Sequence, residues 1–184
     1  MPKAQSSALL QKKRLVSKLA GQIEMIVFDF DGVFTDNRVL VLQDGSEGVF
    51  CCRADGLGLE AVRKIDIQLL VISKEQNPVV SARCRKLGLR CIQGCDNKAD
   101  ALKQEAERLK IPLKNIAFMG NDINDLECLK IVGLPVCVSD SHADVLRISK
   151  HITHAKGGYG AVREFCDFVM GVRMVTSKKV KTER

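Results

Sequence analysis

Four apolar, β-rich runs, "IEMIVFDF", "DIQLLVISK", "KNIAFMGND" and "GLPVCVSD", each stop in polar residues. Runs that are apolar along their length, rather than alternating, suit strands buried on both faces, as in a parallel sheet covered by helices. Between them lie helical patterns, "LGLEAVRKI", "NPVVSARCRKLG", "KADALKQEAERLK" and "INDLECLKIVG". Strand followed by helix, repeated, predicts an α/β fold with a parallel, Rossmann-like sheet flanked by helices.

The remaining segments complete the plan. "RVLVLQDGSEGVFCC" places two β-rich runs around Asp44–Gly45, which predicts a hairpin over about residues 37–52. Gly88 and Gly133 fall where helices should end, and Asn77–Pro78 reads as a cap and first-turn proline. The 184 residues fit one domain with a core over about 23–170, an N-terminal amphipathic helix over 7–20 and a solvated basic tail over 173–184.

Composition narrows the function classes. A net charge of +7 raises the question of nucleic acid, but the basic residues are dispersed or sit in the two tails, and aromatics are only 4% of the chain. A stacking platform for single strands is therefore not expected. No stretch reaches the ~18 apolar residues of a membrane span, so a cytoplasmic protein is expected. Eight cysteines, mostly in apolar segments, read as free thiols. Cys91 and Cys95 lack a second ligand pair for zinc, and His151 and His154 read as surface or edge residues.

In an open α/β sheet ligands gather beyond the carboxyl ends of the strands. The polar residues of the runs fall there: Asp29 and Asp31, then Ser73, then Asn121 and Asp122. Residues i and i+2 of an extended chain point the same way, so both aspartates can face one pocket. Two carboxylates so close call for a cation, and Mg²⁺, a hard ion with oxygen ligands, suits them.

"DFDGVFTD", Ser73, Lys98 and "GNDIND", in this order and spacing, resemble the four motifs of the haloacid dehalogenase (HAD) superfamily of phosphohydrolases. "RADGLG", "QGCDNKADAL", "VGLPVCVSDSHADV" and "KGGYGAVREF" are similar to the small cap-less phosphatases of 3-deoxy-ulosonate phosphates, and to the C-terminal domain of CMP-sialate synthetases. The resemblance implies a hairpin instead of a cap domain and a homotetramer whose hairpins pack together, with no nucleic-acid or membrane partner. It implies Asp29 as nucleophile, Asp31 as acid and base, and Ser73 and Lys98 as phosphoryl-binding groups. The implied metal set is Asp29, Asp31 and a motif-four side chain, Asn121 or Asp122. Related phosphatases often have Asp at the position of Asn121, and Asp125 is expected to support or cap.

For substrate, the resemblance points to Asp55 and Gly56 of "RADGLG" and to Glu75, Arg83 and Lys86. The octulosonate (KDO 8-phosphate) branch generally has Arg where this chain has Glu75, as the nonulosonate 9-phosphate branch does. The expectation is therefore an N-acylneuraminate- or KDN-type 9-phosphate phosphatase of sialic acid biosynthesis. A KDO 8-phosphate phosphatase and a catalytically silent domain serving sialate activation are the alternatives. Gly157 and Gly158 are read either as an approach to substrate or as a hinge.

Overall fold

The structure is a computed structural model that describes residues 2–182, with side chains described for residue 7 and residues 10–175. In chain order its elements are α1 (Pro2–Ala20), β1 (Met25–Phe28), β2 (Leu40–Val41), β3 (Glu47–Gly48), α2 (Ala54–Arg63) and β4 (Gln68–Ile72). There follow α3 (Val79–Leu87), β5 (Arg90–Ile92), α4 (Lys98–Leu109), β6 (Ile116–Gly120), α5 (Leu126–Ile131), β7 (Leu134–Cys137), α6 (Ala143–Ile148), β8 (His151–Ile152) and α7 (Ala161–Thr182). The basic tail expected over 173–184 enters α7 as far as Thr182, and its last two residues lie outside the described residues. No helix among the described residues is long and apolar enough to cross a membrane.

Six strands form one all-parallel sheet in the order β5-β4-β1-β6-β7-β8. Taking those six strands in chain order, this is the 3-2-1-4-5-6 arrangement of doubly wound folds, and its direction reverses between β1 and β6. That reversal opens a crevice where Asp29 leaves β1 and Asn121 leaves β6.

Alternation along each strand sends side chains to two cores. Ile26 and Phe28 of β1 join Ala117 and Met119 of β6 against α1, α2 and α7. Met25 and Val27 join Ile116 and Phe118 against α4, α5 and α6. All four residues of β1 are buried, as a continuous apolar run requires. The sequence indicated four sheet strands; the two further ones, β5 and β8, are the edge strands, three and two residues long. His151, expected at the surface or an edge, lies on the edge strand β8 with its ring stacked 4.4 Å from Phe168 and its pKa lowered by burial.

The hairpin forms where Asp44–Gly45 placed it: Leu40 pairs with Gly48 and Val41 with Glu47, antiparallel. It stands off the sheet, with Val39, Leu40, Val41 and Leu42 each at least half exposed. No cap domain is inserted between β1 and β4. Gly88 closes α3 in a left-handed conformation, and Asn77 caps its start, its Oδ1 accepting from Val79 N at 3.0 Å.

Candidate active site

The loop after β1 is built by short hydrogen bonds. Phe30 N donates to Asp29 Oδ1 at 2.7 Å, and Thr35 Oγ1 accepts from Gly32 N at 3.0 Å and Asn37 N at 3.2 Å. Gly32 has φ +74°, and any Cβ there would collide with the Asn121 side chain, so the loop can lie against β6 only with glycine. Gly158 (φ +75°) packs its backbone against Thr35 and Asp36, with Gly158 N donating to Val33 O at 3.1 Å. The "KGGYG" glycines thus buttress the aspartate loop from behind.

Lys98, the first residue of α4, reaches under this loop. Its Nζ lies 2.8 Å from Asp29 Oδ1 and 2.8 Å from Asp125 Oδ1, and all three side chains are buried. Asp125 Oδ2 in turn accepts from Asn121 N at 2.9 Å and Asp122 N at 3.3 Å, which fixes the loop after β6. Burial lowers the Lys98 pKa, but Asp29 and Asp125 outweigh it and hold the ammonium protonated. Burial and then Asp125 push the Asp29 carboxyl up to about 7, against the pull of Lys98. A divalent cation bound beside Asp29 would shift that balance in favour of the carboxylate.

Above this layer is a cavity of about 530 Å³, lined by Asp29, Asp31, Ser73, Glu75, Asn121 and Asp122, with Asn37, Lys74, Gln76, Ile123 and Asn124. Burial, then Glu75 and Glu47, raise the pKa of Asp31 against the pull of Lys98. Ser73 is buried at the end of β4, with Oγ accepting from Glu75 N at 3.1 Å.

The donor set fits a hard cation. Asn121 Oδ1 is buried and has no hydrogen-bond partner, and the Asn121 residue borders the same cavity as Asp29. A buried acceptor without a donor is costly unless something positive occupies the space before it. The Asp122 carboxylate is engaged otherwise, accepting from Ile123 N at 2.7 Å as a cap. No group of three or more His, Cys, Asp or Glu residues among the described residues is arranged for a metal. The oxygens here come from acid and amide, with main-chain carbonyls nearby, as Mg²⁺ accepts.

Several residues expected at the substrate lie elsewhere in this chain. Asp55 is fully buried where α2 meets α7, its Oδ1 accepting from Arg163 N at 3.0 Å, so it serves the start of α7. Gly56 packs on Leu87. Arg83 Nη2 donates to Cys52 O at 3.0 Å, and Lys86 is exposed. None of these four lines the cavity, because α2 and the outer face of α3 point away from the strand ends. Glu75 does line it, but its Oε1 accepts from Gln76 N and Asn77 N, both at 2.7 Å. Asn37, next to the quoted "TD", is a cavity residue that sequence reasoning missed; its φ of 62° is a feature only the folded loop displays.

A strand-end aspartate over a buried lysine, with a second aspartate two residues on and a strand-end serine, at the switch point of a doubly wound sheet, defines a phosphohydrolase site. The comparisons agree. Residues 89–165 match the haloacid dehalogenase-like hydrolase family. The 3-deoxy-D-manno-octulosonate 8-phosphate phosphatase of Salmonella typhi is 33% identical over 152 residues, 82% of this chain and 81% of that protein. A Streptomyces avermitilis structure assigned to the HAD family superposes with a TM-score of 0.81 at 45% identity, over 83% of this chain and 87% of that one. The Moraxella catarrhalis octulosonate 8-phosphate phosphatase, solved with magnesium ion, phosphate ion and KDO, gives 0.84 at 29% identity, over 92% and 98%. The chain belongs to the haloacid dehalogenase-like hydrolases, among their cap-less phosphomonoesterases.

Proposed function

We propose that the chain is a Mg²⁺-dependent phosphatase of a 3-deoxy-ulosonic acid phosphate, with KDO 8-phosphate as the favoured substrate. The observation that carries the reading is the pairing of buried Asp29 with Lys98 beneath a cavity lined by Asp31, Ser73 and Asn121. The relatives favour the eight-carbon acid over the nine-carbon one expected from Glu75. Glu75 also spends one oxygen on two main-chain N–H groups, which weakens the case for it as a reader of sugar hydroxyls.

Asp29, Asn121 and the main-chain carbonyl of Asp31 would hold Mg²⁺, which would supply charge neutralisation for the phosphoryl group. An Asp29 oxygen attacks phosphorus, the bond from phosphorus to the sugar oxygen breaks, and Asp31 donates its proton to that oxygen. Asp31 then takes a proton from the water that attacks the aspartyl phosphate, releasing phosphate and restoring Asp29. Ser73 donates a hydroxyl to the phosphoryl oxygens, and Lys98 holds Asp29 oriented and charged. The half-exposed apolar residues of the hairpin support a homotetramer in which hairpins pack together.

The test is phosphate release, with and without Mg²⁺, from KDO 8-phosphate, N-acetylneuraminate 9-phosphate and KDN 9-phosphate, with Asp29→Asn as control. Release from KDO 8-phosphate at the highest kcat/KM is expected. Preference for a nine-carbon acid restores the Glu75 reading, and release from none points to a silent domain.

A further inference from the structure

A cavity of about 410 Å³ lies between α1, β8 and α7, and it shares no lining residue with the catalytic one. Lys12 and Lys13 of α1 and Lys150, next to β8, border it, and no carboxylate does. Lys12 and Lys13 have no ion pair among the described residues, and Lys150 commits one of its three N–H donors, to Gly133 O at 2.9 Å. The carboxylates on the facing stretch of α7 are engaged elsewhere. Glu164 accepts from His154 N and Ala155 N, both at 2.9 Å, and Asp167 accepts from Arg163 Nε at 2.7 Å. His154, the other basic residue at the rim, has its Nδ1 2.9 Å from Glu164 Oε1. The rim therefore carries uncompensated positive charge.

Behind the rim the walls are apolar. Val16, Ile152 and Phe168 line the cavity, and the His151 ring, stacked 4.4 Å from Phe168, is kept neutral by burial. His151 Nε2 is buried without a hydrogen-bond partner, a cost that a polar group bound beside the ring removes. Ser17 and Phe168 also border a second cavity, of about 600 Å³, whose walls include Gly171, Val172 and Val175. Asp167 borders this second space but is held by Arg163. A Cβ built on Gly171 meets nothing within 4 Å, so α7 is bare there and the two spaces run on as one trough beside α1. From Phe168 to Val175 α7 rises about 10 Å, room for an alkyl chain of medium length.

Positive charge at one end and concave apolar surface along the rest are complementary to a molecule with an acidic head and an apolar tail. We propose that this trough binds a single-chain anionic amphiphile free in solution, its acidic head at Lys12, Lys13 and Lys150 and its alkyl chain over Phe168 and Gly171. The lysine stems add apolar contact while their ammonium groups meet the head. The apolar residues line a concavity, which takes one chain and does not sink into a bilayer. None of these residues lies at the catalytic strand ends, so the site is independent of the phosphatase reading.

The probe is dodecanoate, titrated calorimetrically into the chain in EDTA, with octanoate, acetate and the uncharged dodecyl maltoside beside it, each below its micelle concentration. One saturable site for dodecanoate is expected, at least ~10-fold tighter than for octanoate or acetate, because more chain is buried. Dodecyl maltoside binds at least ~10-fold more weakly than dodecanoate, and replacing both lysines, Lys12→Gln with Lys13→Gln, weakens dodecanoate by about 10-fold. Gly171→Leu projects a side chain into the trough and weakens dodecanoate by ~10-fold or more, with no fall in melting temperature because a helix glycine is removed. Phosphatase turnover stays within about twofold of wild type in both variants. Equal affinity for the maltoside, or unchanged affinity for dodecanoate in either variant, overturns the proposal. Binding to phosphatidylglycerol vesicles with none to dodecanoate overturns it too, and makes this face a membrane contact. None of these outcomes alters the phosphatase reading.

Discussion

The ammonium of Lys98 lies 2.8 Å from the Oδ1 of Asp29, out of water. This one contact links the start of α4 to the end of β1 and makes the Asp29 carboxylate depend on a cation that does not itself line the cavity.

Removing that cation strands Asp29 and Asp125 together. Lys98→Met is expected to destabilise the fold by about 3–5 kcal/mol in urea unfolding at pH 7.5, since breaking a buried pair leaves uncompensated charge. Adding Asp125→Asn to Lys98→Met should recover part of the loss. Additive destabilisation in the double variant would contradict the shared electrostatic origin.

Asp29→Asn should lower kcat by at least about 10³-fold while leaving the circular dichroism spectrum unchanged, because the amide keeps the acceptor for Phe30 N but is no nucleophile. Residual turnover near wild type would remove Asp29 from the chemistry.

Asn121→Asp tests the metal site without an activity assay. A third carboxylate beside Asp29 and Asp125 should lower the melting temperature in EDTA and increase the rise on adding Mg²⁺. If Asp122 is the ligand instead, the Mg²⁺-induced rise collapses in Asp122→Asn and survives in Asn121→Ala.

Asp55 gives a pH dependence remote from the metal. Burial pushes its carboxyl up from 3.8 to about 6, against the Arg163 main-chain N–H and the Arg83 charge; Cys166 and Cys51 are its other titratable neighbours. Between pH 4 and 6 the folded chain holds a proton there that the unfolded chain has released. This contribution to stability is thus complete below about pH 4 and lost as pH rises through 6, on the order of 2 kcal/mol. Asp55→Asn keeps the acceptor for Arg163 N and should remove that slope. A stability difference between wild type and variant that is the same at pH 4 and pH 7 would refute it.

Placing a methyl group at Gly158 forces a left-handed L-residue against Asp36 N and the Thr35 carbonyl carbon. Gly158→Ala should cost more than about 1 kcal/mol in thermal unfolding and lower kcat through the displaced aspartate loop.

What the chain announced by itself was whatever is encoded locally. Continuous apolar runs gave β1, β4, β6 and β7, and Asp44–Gly45 gave the hairpin, because these patterns are set over a few residues. Asp29 and Asp31 share the cavity as expected, but through the turn that follows β1 and not through an extended strand. The edge strands β5 and β8 were too short to show a period. Tertiary structure decided the rest. Strand order brought Lys98 and Asp125 beneath Asp29, and α7 claimed the Asp55 carboxylate. The hairpin came to wall one end of the cleft with Val39, Glu47 and Val49. Such contacts join residues far apart in the chain, and only the packing of whole elements fixes which side chains share a buried space, so no local pattern carries them.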